Sequence, residues 1–150
     1  MALIFCCVHQ SHAQPLQWQS FKDALSQAKQ EQKPVMVDVW APWCGWCRKM
    51  KSEVYPKLAQ LLNDSFVLSR LNREAEQEIS YRGGYYTPAE LAEEFKVYKV
   101  PGLIFLAPDG SYLFHTSGFI KSPHLQPLLQ YVADGAYKEM NFKTYQQRNS

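Results

Sequence analysis

The chain has 150 residues, 46% of them hydrophobic and 20% charged, with a formal net charge of +2. That length accommodates one domain whose core needs no structural disulfide or metal, and the composition is ordinary for a soluble globular protein. No block of Lys or Arg and no aromatic–basic repeat interrupts it, which sets nucleic acid aside as a partner.

The first segment holds an apolar run, Ala2-Leu-Ile-Phe-Cys-Cys-Val8, followed by Ser11-His12-Ala13. It reads as the hydrophobic stretch of a secretory signal cleaved after Ala13, although residues 1–13 carry no Lys or Arg and are short for a signal. The alternatives are the end of a longer signal or a short apolar tail; the run is too short to span a bilayer. Cleavage would start the mature chain near Gln14 and leave Cys44 and Cys47 as its thiols. A pair that close cannot staple a fold, so an exported chain would keep it for chemistry.

Residues 20–32 put Phe21, Leu25 and Ala28 at helical spacing behind Ser20 as N-cap. Pro34 precedes a buried strand over 35–40, and a helix is predicted over 45–63 with Met50, Val54, Leu58, Leu61 and Leu62 on its buried face. Pro56 should kink or split that helix. A second strand covers 66–71. Residues 73–86 read as irregular, charged at first and then Tyr81-Arg-Gly-Gly-Tyr-Tyr86, an aromatic loop. Thr87-Pro88-Ala89-Glu90 combines an N-cap, Pro at the first helical position and Glu two residues later, starting a helix that ends near Tyr98. Residues 102–107 and 111–116 flank the turn Pro108-Asp109-Gly110, and a last helix runs from Ser122 to about Ala133. Residues 135–150 read as a polar tail. Helices joining strands, followed by an antiparallel pair, give an α/β class with a mixed central sheet and helices on both faces.

Chemistry concentrates in Trp43-Cys44-Gly45-Trp46-Cys47 at the turn from strand to helix. Two thiols three residues apart close a small ring, and the unpaired N–H groups of a helix start stabilise a thiolate, so the pair reads as a redox dithiol. Half of a zinc site is the other reading; it needs two more ligands, and His115 and His124 are the histidines beyond the first segment. Asp38 is a lone carboxylate in Val35-Met-Val-Asp-Val-Trp40. Buried, its pKa rises and it can move a proton to or from Cys47; at the strand's end it would simply meet solvent. Trp40 reads as core, and Trp43 and Trp46 as an apolar rim beside the thiols. His115 and Met36 read as structural.

These residues together resemble the thioredoxin fold, and more narrowly the exported thioredoxin-like thiol–disulfide proteins. The resemblance spans about residues 18–133 of a single domain over 14–150, with a loop insertion at about 73–87 and the polar tail. It rests on Asp38-Val-Trp-Ala-Pro-Trp-Cys-Gly-Trp-Cys47, on Val100-Pro101 before a strand, where the family keeps a cis-proline, on Gly118 after the hairpin, and on Arg70 near where a lysine often faces the buried aspartate. The resemblance implies that Cys44 attacks and Cys47 resolves, with Asp38 assisting. It implies that Trp43, Trp46, Val100, Pro101 and Gly118 bind substrate, and that Arg70 acts through its charge or stands solvated. Gly45-Trp46 between the cysteines, the longer 73–87 segment and the position of Pro56 depart from thioredoxins, so redox poise and substrate do not carry over.

What the resemblance implies is a monomeric, exported reductase of protein disulfides, re-reduced by a membrane-bound electron donor, with no cofactor beyond the Cys44–Cys47 disulfide and no metal. Gly45 and the lack of a dimerisation extension resemble reducing members. The rivals are a disulfide oxidase or isomerase, and a non-catalytic protein that holds a client or a metal on the same fold; a peroxidase lacks its usual nucleophile context.

Overall fold

The computed structural model describes residues 14–150; the apolar run, Cys6, Cys7 and the expected cleavage site lie outside the described residues. A two-residue strand β1 (Trp18–Gln19) leads into α1 (Phe21–Glu31), whose first turn is closed by the Asp23 N–H donating to Ser20 Oγ at 3.1 Å. Strand β2 (Val35–Trp40) follows, buried along five consecutive residues. The alternation of the pleat explains why. Val35, Val37 and Val39 enter one core with Phe21, Ala28, Leu91 and Phe95, while Met36 enters a second with Met50, Tyr55, Leu62 and Leu129.

The helix expected over 45–63 is helical throughout but not continuous in kind. It runs as α2 (Gly45–Lys49), a π turn (Met50–Val54), a 3₁₀ turn (Tyr55–Leu58) and α3 (Ala59–Ser65). Pro56 is the cause: it has no N–H to return and its ring crowds the carbonyl four residues back. The chain widens just before it, and the Tyr55 N–H bonds to Met50 O across five residues. Strand β3 (Val67–Asn72) starts one residue later than expected.

Residues 73–86 are not a loop throughout. They contain a hairpin, β4 (Ile79–Tyr81) and β5 (Gly84–Tyr86), turned by Arg82 and Gly83 at φ 48° and 82°. Two positive-φ residues between short strands are the twist-matched hairpin turn. Tyr81 is buried against Phe21 and Phe95, with its hydroxyl donating to Gly110 O at 2.8 Å, while Tyr85 projects outward.

Helix α4 (Pro88–Glu94) opens on the expected capping box, with Glu90 accepting from the Thr87 N–H and Thr87 from the Glu90 N–H. It ends well before Tyr98, because Lys96 turns left-handed at φ 66° and the Val97 N–H closes onto Ala92 O. Strands β6 (Gly102–Leu106) and β7 (Tyr112–Ser117) flank a turn in which Asp109 accepts from the Ser111 N–H. Helix α5 (Ser122–Ala133) follows.

The central sheet has the order β1-β3-β2-β6-β7, parallel from β1 to β2 and antiparallel from β2 to β7. The expected polar tail is instead a 3₁₀ turn (Ala136–Lys138) and a helix α6 (Phe142–Arg148) docked on α5. Its apolar residues are sparse but aligned. Phe142 and Tyr145 pack on the Tyr131 ring at 5.4 Å, and Tyr145 donates to Asp134 Oδ2 at 2.6 Å. None of the described helices is long and apolar enough to cross a membrane.

Candidate active site

Strand β2 ends beside β3 and β6, and the chain turns there through Ala41-Pro-Trp43 into α2. Cys44 is the N-cap of α2 and Cys47 lies in its first turn, so the spacing that reads as a dithiol places both sulfurs at one helix start. They are joined as a disulfide, with Cα atoms 5.2 Å apart. The Cys47 N–H points at Cys44 Sγ at 3.1 Å. One of the free donors of the helix start is therefore already aimed at the sulfur expected to carry charge.

Both cysteines are almost covered, at 4% and 2% exposure, and pack with Ala41, Trp40 and Val100. Trp43 and Trp46 stand out from this surface at 67% and 56% exposure. Trp46 meets Phe119 at 5.1 Å between ring centres, and Lys49 Nζ lies over both rings. The Val100–Pro101 peptide bond is cis, and Pro101 O accepts from the Gly118 N–H at 2.8 Å. Gly118 has φ 92°, a backbone conformation that residues with a Cβ rarely adopt, although a Cβ there would meet open space. The candidate binding residues thus fall on three segments: Trp43 and Trp46 at the start of α2, Val100 and Pro101 before β6 with Val100 packed on the cysteines, and Gly118 after β7, hydrogen-bonded to Pro101.

Asp38 is fully buried, on the Met36 face of β2. Its Oδ1 accepts from the Tyr55 hydroxyl at 2.7 Å and its Oδ2 from Arg70 Nε at 2.9 Å. The solvent-facing reading of Asp38 is thereby replaced, and so is that of a solvated Arg70. Burial pushes the carboxyl pKa above its ordinary value; the Tyr55 hydrogen bond and the Arg70 charge pull it back without cancelling the rise. Tyr55 is pushed well above the ordinary phenol value, by burial first and then by the Asp38 charge. Arg70 is held from its other sides by aromatic faces, 4.4 Å from the Trp40 ring centre and 5.6 Å from that of Trp18.

Tyr55, Trp18 and Phe119 are the members of this site that sequence reasoning missed. Tyr55 carried a readable signal, a hydroxylated aromatic next to a helix-splitting proline, because the break rotates it onto the buried face. Trp18 and Phe119 carried none. Among the described residues no group of three or more His, Cys, Asp or Glu is placed to hold a metal ion. His115 instead contacts the Tyr112 hydroxyl through Nδ1 at 2.7 Å on the exposed side of β7.

The family model of the thioredoxin-like domain matches residues 21–133, from the start of α1 to the end of α5. The chain belongs to the thioredoxin-like domain family. The matched span contains the Cys44–Cys47 disulfide at the start of α2.

The domain is similar to disulfide bond reductase DsbH of Chlamydia pneumoniae, 27% identical over 106 residues, 65% of this chain and 60% of that protein. It is also similar to protein disulfide isomerase-like 1-4 of Arabidopsis thaliana, 28% identical over 103 residues, 69% of this chain and 15% of the relative. The thioredoxin of Alicyclobacillus acidocaldarius is 40% identical over 60 residues, 40% of this chain and 56% of that one. The chain thus spans from 15% to 60% of the length of these curated relatives. Among solved structures, a DsbH oxidoreductase superposes with a TM-score of 0.63 at 20% identity, covering 89% of this chain and 94% of the other. That likeness shows the shared fold.

Proposed function

We propose that this protein reduces disulfide bonds of client proteins by dithiol exchange, with Cys44 as nucleophile and Cys47 as resolving thiol. The observation that carries the reading is the Cys47 amide directed at Cys44 Sγ at the start of α2, beneath two exposed tryptophans. In the reduced protein the Cys44 thiolate attacks one sulfur of a client disulfide. That S–S bond breaks, the client's other sulfur leaves as a thiolate and takes a proton, and a mixed disulfide joins Cys44 to the client. Cys47 then gives its proton to the Asp38 carboxylate, and its sulfur attacks Cys44 Sγ. The client leaves with both sulfurs reduced, and two electrons have passed from the dithiol, which closes as the Cys44–Cys47 disulfide.

Arg70 and Tyr55 offset the cost of burying Asp38 as an anion, which keeps the carboxylate form within reach for that proton transfer. Trp43, Trp46 and the backbone at Val100, Pro101 and Gly118 would receive the client segment, main chain against main chain. The reductive direction is favoured by the similarity to a protein named as a disulfide bond reductase. An exported location, with residues 1–13 as the leader and a membrane-bound donor returning the electrons, completes the proposal. No cofactor beyond the redox-active disulfide enters it.

The test is a Cys47→Ser variant exposed to native client extracts after reduction. It should accumulate mixed disulfides through Cys44 that dithiothreitol releases, and Cys44→Ser should accumulate none. Absence of any adduct under oxidising and reducing poise alike would overturn the reading.

A further inference from the structure

A groove of about 310 Å³ lies between the helical stretch that follows Cys47 and the segment that follows Gly118. Phe119 lines it and packs against Trp46, the residue before Cys47, and its walls include Lys49, Glu53, Lys57 and Lys121. Three cations face one anion there, and the Lys49–Glu53 contact is long, at 3.9 Å. Lys57 and Lys121 are exposed, and neither forms an ion pair within 4 Å among the described residues.

The far end of the groove is the start of α5. This twelve-residue helix begins after Lys121 without a side-chain cap, and Ser122-Pro-His-Leu125 brings no carboxylate into its first turn. The positive end of the helix therefore adds to the lysines, against the single carboxylate of Glu53 in the groove. Aromatic surface next to the sulfurs and cationic surface one step beyond give the groove a direction.

We propose that this groove is a specificity subsite for acidic client segments. The occupant is an extended stretch of a disulfide-bearing polypeptide, with an apolar or aromatic residue beside its cysteine on Trp46 and Phe119. Aspartate or glutamate a few residues further along then sits between Lys57 and Lys121. Complementary charge acts mainly on the rate of encounter, so the selection shows in the rate of exchange more than in its end point. The subsite rests on the exchange chemistry proposed for Cys44 and Cys47.

The test uses three disulfide-bridged peptides that differ only in the residues flanking one cysteine on the same side: three Glu, three Gln or three Lys. Reduced protein at low ionic strength should reduce the Glu peptide about tenfold faster than the Lys peptide, with the Gln peptide between them. The spread should shrink in 0.5 M NaCl, where charge is screened within about 4–5 Å. The double variant Lys57→Glu, Lys121→Glu should invert the order. Equal rates for the three peptides, or an order unchanged in the variant, overturn the subsite and leave the dithiol chemistry standing. Failure to reduce any of the three overturns both.

Discussion

Asp38 and Arg70 stand opposite one another in the parallel pairing of β2 with β3, and Arg70 Nε donates to Asp38 Oδ2 at 2.9 Å. The ion pair is therefore placed by backbone register, and the arginine, one-fifth exposed and stacked on Trp40, has few other places to go. Removing it should leave a buried carboxylate without a counter-charge. Arg70→Ala should cost about 3–5 kcal/mol at pH 8. The loss should be smaller at pH 4, where a protonated Asp38 needs no partner. Arg70→Lys should fall between, since it restores charge but not the planar stack. Urea denaturation of both variants at the two pH values checks this; an equal loss at pH 4 and pH 8 would assign Arg70 to packing alone.

Asp38 gives a pH dependence whose sign follows from its burial. Its pKa is raised in the folded chain, so the folded state holds the proton more tightly than the unfolded state does. Stability from this group is full below about pH 4, the unfolded carboxylate value, and is lost as pH rises through the higher folded value. Asp38→Asn removes that loss. Its advantage over the natural chain should grow from pH 4 to pH 8. The same variant should resolve a Cys44 mixed disulfide more slowly. A stability difference flat in pH would show that the carboxyl titrates as in water.

Tyr55→Phe takes the hydrogen bond from Asp38 Oδ1 and leaves that oxygen buried and unpaired. About 1–3 kcal/mol should be lost. The hydroxyl lowers the Asp38 pKa, so its removal should move the pH profile of mixed-disulfide resolution to higher pH. Stopped-flow tryptophan fluorescence across pH reads the shift, and an unmoved profile separates Tyr55 from the proton transfer.

Tyr145→Ala tests whether α6 belongs to the fold. The residue is 9% exposed, packs on Tyr131 and donates to Asp134. Emptying its place should cost about 2–4 kcal/mol and lower the denaturation midpoint accordingly. A change below about 0.5 kcal/mol, the scale of surface substitutions, would mean that residues 135–150 add nothing to stability.

The parts of this fold that were legible carry local signals that agree with the global structure. Thr87-Pro88-Ala89-Glu90 is a helix start in any setting, and the five buried residues of β2 announce a strand covered on both faces. The dithiol and its two tryptophans were readable because spacing alone puts them at a helix start. The hairpin at 79–86 was not, because its strands are three residues each and its stability comes from Tyr81 reaching Gly110, far off in sequence. Helix α6 was hidden for a related reason: Phe142 and Tyr145 are two apolar residues in a polar stretch, and only Tyr131 gives them a surface. Arg70 was seen as a neighbour of Asp38, but its hold between Trp18 and Trp40 depends on sheet order, which periodicity does not encode.

The wide turn at Met50–Val54 carries one residue more than an α turn and so works as a phase adjuster between two ends of one rod. Upstream of it, the rod's azimuth is dictated by where the sulfurs must face. Downstream, it is dictated by where Tyr55, Leu58 and Leu62 must face. Trimming one residue from this span would leave each end well formed by itself and out of step with the other by roughly 100° of rotation.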